Sequence, residues 1–275
     1  MTIGIDIGGT NLSFGQVRDG KILQMFSTPS FPAEATLEET LDHLTSHVRK
    51  IFTRETKKIG IGVPSVVDVN KGIVYDTQNI PSWKEVPLKE YMEDVFQVPV
   101  AVNNDANCYA MGIYGKYPAA AKPESLVAVT LGTGVGMGIV IDGKLYSGVN
   151  CGAGEVGCLP YKDSILEDYC SKKYFTGLGT DAKALAKAAA EGNSDALIAF
   201  HEFGRHMGFL VCAVLYAYDP SHIALGGGIA NSYPYFCQSM TAFLKEYFPY
   251  RKTLEKLKVD IFTDNDIPVI GASLI

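Results

Sequence analysis

Asp105 is the residue whose surroundings most invite chemistry. It stands in Asn103-Asn104-Asp105-Ala106-Asn107, directly after the apolar run Val98 to Val102. A carboxylate within hydrogen-bond reach of a hydroxyl can take its proton while a phosphoryl group is transferred. Asn104 beside it can both donate and accept, which suits a hydroxyl-rich substrate. Asp is also a favoured helix N-cap, so capping explains Asp105 equally well from spacing alone. Two glycine turns bracket this segment. Upstream, Ile3 to Ile7 runs into Gly8-Gly9-Thr10; downstream, Leu126 to Leu131 runs into Gly132-Thr133-Gly134. Both turns begin at the carboxyl end of an apolar strand, where α/β sheets present ligands. Glycine lets backbone N–H groups approach phosphate oxygens closely. Asp6 supplies a hard oxygen donor for Mg²⁺, directly or through water, and Thr133 adds a hydroxyl. The first turn lacks the third glycine of a dinucleotide fingerprint and the Gly-Lys-Ser/Thr of a P-loop, and a tight hairpin with no ligand is its alternative. Two phosphate-gripping turns and a carboxylate between them are the equipment of a phosphotransferase.

Further candidates lie downstream. Glu155, in Gly152-Ala153-Gly154-Glu155-Val156-Gly157, can accept hydrogen bonds from two adjacent hydroxyls. Glu167 is either a second such acceptor or a solvated helix carboxylate. Gly226-Gly227-Gly228 closes a strand and either makes room for an adenine ring or forms a strand-to-helix turn. His201 and His206 are five apart, which does not put them on one helix face; with His222 they are assigned to structure. His43 and His47 share a face but have no third ligand.

These side chains need elements to hold them. Residues 3–7, 12–17 and 22–27 read as strands, with Asp19-Gly20 as a hairpin turn. Leu37, Leu41, Leu44, Val48 and Ile51 give residues 34–52 an amphipathic helical pattern. Strands are expected at 59–63, 73–75 and 98–102, a loop at 79–83, and helices at 88–96 and 105–114. After a Pro-containing segment at 117–124, strands at 126–131 and 136–141 repeat the opening pattern. Helices at 181–190, 195–218 and 233–246 and strands at 223–225 and 259–262 complete the chain, with Gly204 and Gly208 allowing close packing of the longest helix. Pro268 to Ile275 is expected to fray. The repeat argues for two related α/β halves with mixed sheets.

Composition narrows the functional classes. The chain has 275 residues, 47% hydrophobic and 20% charged, with a formal net charge of -6. It offers no basic footprint for nucleic acid or anionic lipid. No signal peptide is apparent, and runs such as Leu210 to Leu215 are too short to span a bilayer. Six cysteines without a C-x-x-C pair read as reduced thiols, and a cytoplasmic location is expected.

Taken as an ordered set, these segments resemble the ROK family (repressor, open reading frame, kinase) of the actin-like ATPase and sugar kinase superfamily. Asp6 to Thr10 and Gly132-Thr133-Gly134 resemble its two phosphate motifs. Gly62-Val63-Pro64-Ser65 through Asp68 and Gly72 resembles Gly-x-Pro-Gly-x-Val-Asp, with Ser65 for glycine. Asn79 and Trp83 match Asn-x-Pro-x-Trp, Asn104-Asp105-Ala106-Asn107 the catalytic segment, Gly154 to Gly157 the sugar-binding Gly-Glu-x-Gly, and Leu225 to Gly228 the adenosine motif. The resemblance runs nearly end to end. It implies two actin-like (ribonuclease H-like) domains with a cleft between them, residues 1–116 and 117–275. It implies an ATP- and Mg²⁺-dependent hexose kinase acting on glucose or a related hexose, with the 6-hydroxyl as acceptor. The implied roles are Asp105 as base; Asn79, Asn104, Glu155 and Glu167 as sugar contacts; and Asp6, Gly8 to Thr10, Gly132 to Gly134, Gly227 and Gly228 on the nucleotide. A homodimer is implied as well. A sugar-binding regulator with little kinase activity is the alternative. The family's repressors carry a DNA-binding domain before the first phosphate motif; here that motif begins at Ile3. Two departures stand out. Cys158 replaces the histidine that follows Gly-Glu-x-Gly, and the Cys-rich zinc loop is missing, so no zinc site is expected; packing around Tyr161, Tyr169 and Phe175 is expected to hold the shortened loop. The chain ends soon after Gly271-Ala272, so reduced packing of a C-terminal helix on the N-terminal half is expected.

Overall fold

The opening apolar run, Thr2–Ile7 (β1), pairs with Asn11–Arg18 (β2), which pairs with Lys21–Pro29 (β3), forming an antiparallel meander. The computed structural model describes residues 1–275. Helix α1 spans Leu37–Arg49 and is shorter than its apolar periodicity, because Thr36 stops it. The Thr36 hydroxyl accepts from the Glu39 N–H at 3.2 Å, while the Glu39 carboxylate accepts from the Thr36 N–H at 2.8 Å, a reciprocal cap. Lys58–Val63 (β4) lies parallel to β1. Val66–Asp68 (β5), Ile73–Tyr75 (β6) and Glu85–Val86 (β7) form a small separate sheet. Helix α2 (Leu88–Phe96) leads into Val100–Asn104 (β8), parallel to β4, and then into helix α3 (Asp105–Lys116).

The second half repeats this plan. Ser125–Leu131 (β9), Val135–Ile141 (β10) and Lys144–Leu145 (β11) are again antiparallel. A two-residue-strand hairpin, Pro160–Tyr161 (β12) and Ser164–Ile165 (β13), precedes helices α4 (Leu166–Cys170), α5 (Lys172–Gly177), α6 (Ala182–Ala190) and α7 (Ser194–Tyr218). His222–Gly226 (β14), α8 (Tyr233–Tyr247), α9 (Arg251–Lys256), Lys258–Phe262 (β15) and α10 (Ile267–Leu274) follow. One sheet runs β3-β2-β1-β4-β8 and the other β11-β10-β9-β14-β15. In each, the third strand is antiparallel to the second and parallel to the fourth. The repeat legible in the sequence is therefore a repeat of topology.

Each sheet has its own apolar core. Trp83, in the loop before β7, is fully buried and donates its indole N–H to the Thr40 hydroxyl at 2.8 Å. Helix α7 is long and apolar enough to cross a bilayer by length and composition, which the short apolar runs did not foretell. Phe200, Phe203, Met207 and Leu210 on it are buried in the second core, which accounts for its apolarity. At Gly208 a Cβ would sit 2.6 Å from that of Phe243 on α8, so the close helix crossing needs the glycine.

Two expectations about the chain's end are overturned. Residues 267–274 do not fray but form α10, with Ile267, Val269, Ile270 and Ala272 buried. Nor is its packing reduced: α10 lies on β1, β4 and α3. A Cβ on Gly4 would fall inside the Val269 carbonyl, and one on Gly60 inside the Ala272 carbonyl. The glycines at those two strand positions let helix backbone settle directly on the sheet, a contact between segments more than 200 residues apart that no local pattern reports.

Candidate active site

Strand β1 delivers Asp6 to its carboxyl end, where Asp6 is in register with Gly62 of β4. A Cβ at Gly62 would lie 3.5 Å from the Asp105 Cα, so the bare glycine lets the start of α3 approach the strand that neighbours Asp6. Asp6 senses the charge of Asp105. Burial pushes the Asp6 carboxyl up to about 7, and the charge of Asp105 adds to the rise. Burial likewise pushes Asp105 up to about 6, opposed by the N–H groups of Ala106 and of Asp105 itself and reinforced by Glu155. Asp105 is not the cap of α3. Asn104 is: its side-chain oxygen accepts from the N–H groups of Ala106 at 2.9 Å and Asn107 at 3.3 Å. The capping alternative for Asp105 gives way to its neighbour. The Asn104 amide also donates to the Ser65 carbonyl at 3.3 Å, which leaves one N–H for a ligand.

The first glycine turn closes with the Gly8 N–H donating to the Asn11 carbonyl at 3.0 Å. It walls a cavity of about 540 Å³ whose lining includes Asp6, Gly8, Gly9, Thr10, Tyr109, Gly227, Gly228, Asn231, Asp264 and Asn265. Gly227 stands at φ +79°, packed against the Leu131 carbonyl, so β14 can end in a turn that a side chain would obstruct. The cavity thus joins the ends of both sheets. Two carboxylates line it and no lysine or arginine does. Such a wall, with Asp6 and Asp264 as its carboxylates, fits a cation held between it and a polyanion. No group of three His, Cys, Asp or Glu side chains gathers anywhere in metal-binding geometry.

The remaining candidates divide. Asn79 is exposed and faces the first turn, its amide nitrogen 3.1 Å from where a Gly9 Cβ would be. Glu155 is exposed, with Cys158 donating weakly to it at 3.9 Å. Glu167 is half-buried and lies against the second glycine turn. Its carboxylate accepts from the Val135 N–H at 3.0 Å and pairs with Lys173 at 2.9 Å. Thr133 is exposed, and residues 132–134 lie outside the cavity wall. Sequence reasoning missed Tyr109, Asn231, Asp264 and Asn265. Tyr109 sits one helical turn after Asp105, a spacing that puts both on one face. Asp264 and Asn265 follow the carboxyl end of β15, the position that exposed the other turns.

Where a zinc loop is missing, aromatic rings fill the space. Tyr161 meets Tyr169 edge-on at 5.2 Å and hydrogen-bonds His206 Nδ1 at 3.0 Å. Phe175 packs one layer deeper, 4.9 Å from Phe203. His206 is 2% exposed, and burial lowers its pKa to about 4, so the ring is neutral at pH 7. The packing expected around Tyr161, Tyr169 and Phe175 is present.

Two topologically matched α/β units with a polar cleft between their sheet ends, lined by Asp6, Asp264 and the glycines at 8, 9, 227 and 228 with Asp105 nearby, define a two-lobed phosphotransferase fold. The ROK family model matches residues 2–275, and the chain belongs to the ROK family. It is 31% identical over 267 residues to a glucokinase of Streptomyces coelicolor, covering 84% of this chain and 83% of that protein. It is 30% identical over 262 residues to an N-acetyl-D-glucosamine kinase of Vibrio parahaemolyticus, covering 84% and 85%. Among solved structures, a ROK family glucokinase from Streptomyces griseus in complex with glucose and AMPPNP matches with a TM-score of 0.80 at 26% identity, covering 99% of this chain and 97% of that one. A ROK family transcriptional regulator, a homologue of the E. coli MLC protein, matches with a TM-score of 0.88 at 19% identity; this chain covers 76% of it, and the likeness speaks to fold alone.

Proposed function

We propose that the chain is an ATP-dependent sugar kinase that transfers the γ-phosphate to a hexose, at the 6-hydroxyl of glucose or of a related aldohexose or N-acetylhexosamine. The observation that carries this is Asp105: a carboxylate raised to about 6 by burial although it accepts the Ala106 N–H at 2.8 Å, lying outside the cavity wall itself but near enough to Asp6 on that wall to raise its pKa. A base with a pKa just below neutrality is mostly ionised at pH 7 yet still holds a proton well. Asp105 takes the proton of the sugar hydroxyl as its oxygen bonds to the γ-phosphorus, and the bond to the bridging oxygen breaks to release ADP. Asn79, Asn104, Glu155 and Glu167 orient the sugar. The amides of Gly8 to Thr10, Gly132 to Gly134, Gly227 and Gly228 receive the nucleotide, and Asp6 holds Mg²⁺, directly or through water. When bound, the ion neutralises phosphate charge that no lysine or arginine on the cavity wall offsets. Approach of the two units, 1–116 with α10 and the remainder of 117–275, excludes water as a competing acceptor. A homodimer in the cytoplasm, without nucleic acid or membrane partners, completes this proposal.

The test is ADP release across a panel of hexoses and N-acetylhexosamines, with wild type and Asp105→Ala. Sugar-dependent turnover lost in the variant supports the assignment; full turnover in the variant sinks it. One observation favours a second reading, a sugar-binding regulator with little activity: Glu167 is already engaged by Val135 and Lys173. Tight sugar binding by calorimetry without ADP release would select it.

A further inference from the structure

The loop between β11 and β12 crosses from one unit to the other. It leaves the second sheet at Leu145, yet Cys151 within it is 3% exposed and packs in the core of the first. Its thiol donates to the Asn103 side-chain oxygen at 3.3 Å. Asn107 donates to the Cys151 sulfur at 3.6 Å, to the Ser147 hydroxyl at 3.4 Å and to Asn103 at 3.0 Å. Asn107 is 1% exposed, and its own side-chain oxygen has no hydrogen-bond partner. Asn103 and Asn107 bracket Asp105. The loop is bent hard to reach them: Cys151 itself has φ +56°, between Gly148 at +72° and Gly154 at +107°. A non-glycine residue holds that conformation only where its surroundings compel it. Val149, two residues earlier, is 98% exposed, so the inward turn belongs to Cys151 and not to the loop as a whole.

We propose that Cys151 is a positioning residue for the sugar: it fastens the loop carrying Glu155 to the strand end and helix carrying Asp105. The proposal rests on the sugar kinase reading above. The two carboxylates that would face the sugar come from different sheets, and the Cys151–Asn103–Asn107 cluster joins the segments that bear them. With the seat filled, Glu155 four residues on is held in register with Asp105. With it empty, the sugar must order the loop itself, and affinity falls.

Two measurements test this, with D-glucose as probe, or N-acetyl-D-glucosamine if wild type turns that over faster. The first is alkylation of native wild type followed by peptide mapping. Exposed Cys158 should react promptly and buried Cys170 slowly, with Cys151 slowed severalfold further by saturating sugar but not by ATP alone. The second is steady-state kinetics. Cys151→Ala should raise KM for sugar about tenfold, the size of one lost hydrogen-bonded contact. Cys151→Ser, which keeps a donor for Asn103, should recover part of that loss. KM for ATP and kcat should stay within about twofold in both, which separates lost ground-state binding from general damage. Sugar-independent labelling of Cys151 overturns the proposal, as does an unchanged sugar KM in a folded Cys151→Ala or a parallel rise in both KM values. If wild type turns over no sugar, the kinase reading fails and this proposal with it. Normal wild-type turnover beside an indifferent Cys151 removes the proposal alone.

Discussion

Asp6 and Asp105 are a pair whose environment sets both chemistry and stability. For Asp105, loss of the base should lower kcat by about 10²- to 10⁴-fold in Asp105→Ala, measured as ADP release at saturating sugar. In the proposed mechanism the ionised form is the active one, so wild-type kcat/KM for sugar should fall as pH drops through about 6, the raised value of this carboxyl. Asp6 acts on folding. Its folded pKa, about 7, lies above the ordinary 3.8. The folded state therefore holds this proton more tightly than the unfolded chain. That stabilisation is complete below pH 3.8 and is lost as pH rises to about 7. Asp6→Asn, which never carries the charge, should thus melt higher than wild type at pH 8, with the gap closing towards pH 4, and should lose turnover. A melting curve at both pH values checks it; equal melting temperatures at pH 8 would contradict the burial of this charge. Asp105 was legible from its neighbours in sequence. That Asn104 would take the cap was not, because both residue types cap helices well and only the backbone angles choose.

Among the elements, α10 shows most plainly what local pattern omits. Its Pro268 and its place at the chain's end predicted fraying, yet proline is tolerated in the first turn of a helix and the rest is apolar. The helix exists because Gly4 and Gly60 leave bare backbone for it to lie on. Gly60→Ala should therefore destabilise by about 3 kcal/mol or more, since its Cβ meets backbone that cannot step aside. Gly177→Ala, where a Cβ meets nothing within 4 Å, should be neutral or stabilise by about 0.5 kcal/mol. Urea denaturation of the two variants decides this; equal midpoints would refute the seating of α10. The strand preceding Asp105 begins two residues later than composition predicts, for a related reason. Val98-Pro99 reads as strand by composition, but β8 begins at Val100 and extends to Asn104, because its register is set by pairing Val63 with Asn104 across the sheet.

For the whole molecule, the repeated order of strands places two sheet ends around one cleft, and the carboxylates that line it lead to a prediction of metal dependence. Removing Mg²⁺ with EDTA should abolish turnover and added Mg²⁺ restore it. A zinc-binding chelator such as 1,10-phenanthroline should leave turnover and the melting temperature unchanged, because ring packing around Tyr161 and Tyr169 holds that segment. Loss of activity with the zinc chelator alone would contradict that. The proposed dimer predicts a light-scattering mass of twice 29.7 kDa.

Local chemistry in the sequence determined the two glycine turns, the apolar strands that feed them, Asp105 and the echo between the halves. These are short-range signals: glycine after an apolar run, period-two and period-3.6 patterns, a carboxylate among amides. Tertiary structure alone decided that Asp6 and Asp105, both half-buried, come close enough for the one charge to raise the other's pKa, that Tyr109 reaches the cavity wall, that α10 returns to the first sheet and that Cys151 crosses between units. Each of those depends on which distant backbones touch, and a residue's type does not record what lies across from it.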